Sequence, residues 1–185
     1  MSCIKTRGKK GVRHADPADP PRRRANKVKG HGTWDNDRPP VLGVVGRESG
    51  EVRLVLTRHS DRATLDPLVR LFTQADTTVN TDEWVAYDLL PQSGRARVSV
   101  KHARPHPEYA RDDDGDGVRE VHCNTIEGIW TGLRNHLRIF RGVSKKYLDG
   151  YVAMFQWRHN LKIATDAFLR TLLTARERPG TIGGT

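Results

Sequence analysis

Residues 39–59 carry the pattern that most restricts the fold. PPVLGVVGRE (39–48) leaves a proline turn and enters a short apolar run through Val41, Leu42, Val44 and Val45. After the turn ESG (48–50), EVRLVLTRH (51–59) alternates, with Val52, Leu54 and Leu56 on one face. Two such runs joined across a glycine turn predict an antiparallel hairpin.

The following segments add helices and further strands. SDRATLDPLVRLFTQ (60–74) spaces Leu65, Leu68, Val69, Leu71 and Phe72 at close to helical period, which puts Pro67 in the first turn. DTTVNTDEW (76–84) is β-branched and reads as a strand ending at Asp82, with a small helix through DEWVAYDLL after it. ARVSVKH (96–102) is another short strand, and 103–120 a polar loop. From Asn124 two amphipathic helices follow. Ile126, Ile129, Trp130, Leu133 and Leu137 share a face of the first, and Tyr147, Leu148, Tyr151, Val152 and Phe155 a face of the second. Gly142 breaks the pattern between them and Ser144 suits an N-cap. Trp130 and Trp157 have apolar neighbours and are expected in the core. The order predicts a mixed α/β fold.

The chain of 185 residues carries a formal net charge of +10, which favours polyanionic partners, nucleic acid foremost. Ten lysines and arginines fall within residues 1–31 against Asp16 and Asp19. Arg22, Arg23, Arg24, Lys27 and Lys29 follow a proline cluster, as suits an extended basic arm that grips phosphates without reading sequence. No apolar run is long enough for a membrane span. A leader-like apolar segment is missing from MSCIKTRGKK, and Cys3 and Cys123 are too few for a disulfide framework. A cytoplasmic, nucleoid-associated location is the expectation.

RDDDGDGVREVHCNTIE (111–127) begins like a calcium loop, with Asp112, Asp114, Asp116 and Gly117 in register. The twelfth position, where such a loop needs a bidentate glutamate, is Cys123, and two prolines upstream oppose the flanking helix. An acidic surface turn is the better reading. Two carboxylates nearby have local alternatives. Asp82 at a strand end suits a cap on the next helix. Glu127, three residues after Asn124, has the spacing of a capping box.

VNTDEWVAYDLL, followed by VHCNTIEGIWTGLRNHLRIFRGVSKKYLDGYVAMFQWRHNL, resembles the ISXO-like insertion-sequence transposases over about residues 39–162. The resemblance implies a DDE-type enzyme with a ribonuclease-H-like core. In such a core carboxylates hold two Mg²⁺ ions (Mn²⁺ substituting) about 3.5 to 4 Å apart for DNA strand cleavage and transfer. It assigns Asp82 to the second acidic position and Glu127 to the last, 45 residues on. The resemblance implies that both are metal ligands and catalytic residues, with Asn124 supporting them. Arg134, His136, Arg138, Arg141, Lys145 and Lys146 then lie where DNA backbone would pass, although for any single one a solvated helix face explains the charge as well.

The family's first aspartate sits on a first core strand. Asp16, Asp19, Asp35 and Asp37 lie on no apolar β run, and no CxxC pair suggests an N-terminal zinc module. The expectation is an N-terminally truncated transposase, or one with a misassigned start, whose site is damaged because the bridging acid is absent. The expected organisation is a basic arm (1–38), a partial catalytic domain lacking its first strand (39–165) and a flexible tail (166–185). The expected partners are transposon ends and target DNA, with a homo-oligomer suited to joining two ends. The alternatives are a non-catalytic basic DNA-binding remnant and, last, a calcium binder.

Overall fold

The computed structural model describes residues 2–3, 32–35, 38–102, 105–161 and 170. Most of the basic arm, including Arg22, Arg23, Arg24, Lys27 and Lys29, lies outside the described residues, as does nearly all of the tail.

The hairpin forms as its alternation predicts. Strand β2 (Pro40–Val45) pairs antiparallel with β3 (Val52–Leu56), in register Val41↔Leu56 through Val45↔Val52. Gly50, at φ 64°, closes the turn by donating its N–H to the Gly46 carbonyl at 2.8 Å. A two-residue strand β1 (Ser2–Cys3), within the stretch read as an extended arm, pairs antiparallel with the start of β2.

Helix α1 (Arg62–Phe72) starts at Asp61, whose Oδ1 accepts the Thr64 N–H at 2.9 Å. Pro67 lies inside this helix, not in its first turn, because the cap sets the start at Arg62. Leu65 and Val69 are buried while Leu71, expected on the apolar face, is 73% exposed. The buried side chain of Arg95 closes the other end of α1. It donates to the carbonyls of Arg70 (3.0 Å) and Thr73 (2.6 Å), groups a helix end leaves without partners.

Strands β4 (Thr78–Asp82) and β5 (Ala96–Val100) pair in parallel, Thr78 opposite Ala96 and Asp82 opposite Val100. The expected small helix between them is two separate 3₁₀ turns, Val85–Tyr87 and Leu90–Ser93. Pro91 inside that segment is unsuited to a continuous helix. Within the supposed loop 103–120, β6 (Ala110–Arg111) pairs antiparallel with β7 (Val121–His122). The strands thus form three small sheets within a mixed α/β fold.

Helix α2 (Asn124–Arg138) and helix α3 (Leu148–Asn160) cover one face of the hairpin. Ile129, Trp130, Leu133, Leu148, Val152 and Phe155 pack there against Val41, Val52 and Leu54. The opposite face of β2 presents Leu42 to Leu65 and Val69 of α1. Strand alternation therefore yields three layers, with the hairpin between α1 and the α2–α3 pair. Gly43 allows close approach, since a Cβ there would stand 2.5 Å from Trp130 Cη2. Trp130 is core as expected, but Trp157 is 50% exposed, because α3 turns Phe155 inward and Trp157 away.

The outer edge of β3 is covered by side chains of α3. Asn160 accepts the Val52 N–H at 2.9 Å and donates to the Val52 carbonyl at 2.8 Å, and Gln156 accepts the Leu54 N–H. These amides take the place of a neighbouring strand. Among the described residues no helix is long and apolar enough to cross a membrane.

Candidate active site

Asp82 is the last residue of β4 and half-buried. Its Oδ1 accepts the Trp84 N–H at 3.1 Å, a short-range turn that fixes the carboxylate as the strand ends. The following 3₁₀ turn has Trp84, not Asp82, at its N-cap position. Trp84 is itself anchored by its indole N–H, which donates to the Ser60 carbonyl at 3.2 Å. The neighbouring Glu83 faces elsewhere and accepts the His102 N–H at 2.6 Å, beyond the end of β5.

Glu127 stands exposed in the first turn of α2, where a negative charge is favoured by the helix dipole. The capping box does not form. Cys123 occupies the N-cap position without a side-chain cap, and Asn124 is the first helical residue, exposed. The Glu127 carboxylate is thus not turned back onto Asn124.

The charges of Asp82 and Glu127 are both felt at Cys123. β7 lies beside β5 and β4 and delivers this thiol, 8% exposed, to the entrance of α2. Burial pushes the thiol up to about 11, and the charges of Asp82 and Glu127 both add to the rise. The Tyr87 phenol is raised in the same way, by burial first and then by Asp82. Arg47, from the β2–β3 turn, holds this strand by donating to the carbonyls of Glu120 and, at 2.9 Å, His122. Burial and the Arg47 charge keep the His122 imidazole below its ordinary value.

Two carboxylates offer hard oxygen donors of the kind Mg²⁺ or Mn²⁺ accepts. Among the described residues they belong to no set of three acidic, cysteine or histidine ligands. The one such set is Asp112, Asp114 and Asp116, whose oxygens lie within 4.8 Å of one another. That loop is exposed and acidic, and its carboxylates are tied to its own backbone. Asp112 accepts the N–H groups of Gly115 (2.6 Å) and Gly117 (2.9 Å), which lower its carboxyl below the usual range. Short strands flank it where a calcium loop of the helix–loop–helix type needs helices, and Cys123 is buried.

Of the basic residues expected to hold DNA, Arg134, Arg138, Arg141 and Lys146 are exposed. Lys145 is half-buried. Its Nζ donates to the Trp34 carbonyl at 2.9 Å and stands 5.5 Å from the Trp34 ring centroid, with Arg58 also over that ring. His136 is a correction, since it is buried against Phe140 and Phe155 and presents no charge to a backbone. Sequence reasoning missed Arg95 and Arg97. Cations alternating with Ala96 and Val98 along a strand are the signal, because a charge on a partly buried strand needs acceptors.

The chain is a basic mixed α/β domain with an aspartate at a strand end and a glutamate at a helix start. The family of the ISXO2-like transposase domain matches residues 12–160, and the chain belongs to it. A protein in transposable element ISH50 of Halobacterium salinarum is 30% identical over 154 residues, covering 83% of this chain and 49% of its own. A transposase-like protein of Haemophilus influenzae is 26% identical over 110 residues, covering 60% of this chain and 81% of its own. The chain therefore spans about half the length of the halobacterial relative. No solved structure matches it.

Proposed function

We propose that this chain carries the catalytic part of an insertion-sequence transposase, a DDE-type domain of ribonuclease-H-like design that cuts and joins DNA strands. The observation that supports this most is the match of the ISXO2-like transposase domain family to residues 12–160, which include both Asp82 and Glu127. Asp82 and Glu127 would hold Mg²⁺ or Mn²⁺, which supplies charge stabilisation at the scissile phosphodiester. The chain's own part is to fix one carboxylate at a strand end and present the other from a helix start. Arg134 and Arg138, further along α2, and Arg141, Lys145 and Lys146 beyond it favour a DNA backbone running past the acids. Asn124, exposed beside Glu127, supports the same edge. Transposon ends and target DNA are the partners, and a homo-oligomer in the nucleoid would bring two ends together.

A second reading is DNA binding without cleavage. It is favoured because, among the described residues, no set of three ligand side chains includes Asp82 or Glu127. Incubation with supercoiled plasmid and Mg²⁺ or Mn²⁺ separates the two. Metal-dependent nicking that vanishes in Asp82→Asn and Glu127→Gln, both still folded by circular dichroism, supports the enzyme. Salt-sensitive binding that leaves the plasmid intact at every metal concentration supports the binder, and nicking that survives in either variant refutes the assigned roles.

A further inference from the structure

We propose that Arg97 is a positioning residue that sets the direction in which Asp82 leaves β4. Its consequence for metal affinity rests on the function proposed above. Its consequence for geometry does not.

Arg97 stands on β5 opposite Val79, on the same side of the strand as Arg95 two residues earlier. Its side chain is 14% exposed, and its planar fork collects the whole segment after β4. Nε donates to Thr81 Oγ1 at 3.0 Å, and Nη2 donates to the carbonyls of Asp82 at 3.1 Å and Trp84 at 3.3 Å. Nη1 pairs with the Asp88 carboxylate. Thr81 Oγ1 passes its own hydrogen to the Asp82 carbonyl at 2.8 Å. The Asp82 backbone is therefore held by two donors, one of them Arg97 itself and the other a hydroxyl that Arg97 also grips. The Trp84 N–H that fastens Asp82 Oδ1 belongs to a peptide unit adjoining the carbonyl Arg97 holds.

Arg62 braces the far side of the loop. It donates to the Val85 carbonyl at 3.1 Å and lies 3.9 Å from the Asp88 carboxylate. Residues 82–88 thus wrap one guanidinium. Only arginine has five donors in a fixed plane, and lysine at this position serves fewer acceptors and aligns none of them. Arg95, immediately before β5, performs the same kind of task for the end of α1, so β5 and the residue that leads into it place two cations that fix loop ends on either side of β4.

The test is Arg97→Lys, with Thr81→Val as a second variant that removes one acceptor from the same fork. The first readout is hydrogen exchange at the Trp84 amide, which reports the Asp82 Oδ1 bond directly. Exchange should speed up to about the rate seen in Asp82→Ala, while the Val52 and Leu54 amides keep their protection. The second readout is Mn²⁺ affinity, which should fall about tenfold, the usual consequence of losing a group that orients a ligand. Unchanged Trp84 exchange in both variants overturns the proposal. Faster Trp84 exchange in a protein that binds no Mn²⁺ upholds the positioning role and refutes the metal reading. Loss of protection throughout in both variants shows a purely structural residue and also overturns it.

Discussion

Gly43→Ala sets a small change against a large buried ring. The added methyl carbon would lie 2.5 Å from Trp130 Cη2, 2.8 Å from Trp130 Cζ2 and 3.0 Å from Ile126 Cδ1. Carbon atoms rest at about 3.5–4.0 Å, so roughly 1 Å must be opened. Trp130 is 2% exposed and has no free volume to swing into, so α2 must shift from β2. Overpacking of this kind costs about 1–3 kcal/mol. Alanine recovers about 0.5–1 kcal/mol over glycine within a strand. The net loss is then up to about 2.5 kcal/mol, centred near about 1 kcal/mol, or a fall of up to about 10 °C in Tm for a chain of this size. Urea and thermal unfolding followed by circular dichroism would measure it. Because Ile126 and Trp130 flank Glu127, divalent-ion binding should weaken as well. Shrinking the ring with Trp130→Leu should cost less in the Gly43→Ala background than alone, a coupling that a double-mutant cycle detects. Equal or higher stability of Gly43→Ala would show that the contact between β2 and α2 is not tight.

Three other outcomes are expected. Asn160→Ala strips both bonds from Val52, which is fully buried, and should destabilise by about 2 kcal/mol in urea unfolding, with Gln156→Ala costing less. Burial, and then the charge of Arg158, hold the His136 imidazole below its ordinary 6.5. The unfolded chain therefore takes up a proton first, stability drops as pH falls below about 6.5, and His136→Phe should flatten that slope in melts between about pH 7.5 and 5.5. The Asp112 carboxyl is lowered from its ordinary 3.8 by the Gly115 and Gly117 amides, so the protection of those two amides, measured against their intrinsic exchange rate, should be lost as pH falls below that value.

The hairpin, the end of β4 at Asp82 and the start of α2 at Asn124 were legible because each is written in local alternation or helical period. What escaped depends on partners distant in sequence. Period alone puts Trp157 and Leu71 on buried faces, yet which side of α3 turns inward is decided by Phe155 and by amides bonding β3 more than 100 residues away. Proline costs least in a first turn, which is where period alone puts Pro67, but Asp61 fixes an earlier start. The Asn124–Glu127 spacing satisfies a capping box on paper. In the fold the chain enters α2 through Cys123, so Glu127 remains exposed at the helix start. Asp82 was readable as the end of a β-branched run, whereas the fork of Arg97 that holds it exists only once β5 lies alongside in parallel register.

The amide seal along β3 also gives the hairpin sheet a sense of direction. With Val52 and Leu54 already satisfied by a helix, that flank offers an incoming chain little to bind. Growth of the sheet is steered to the opposite flank, where β1 already runs against the first residues of β2 and dictates which way an added segment must point.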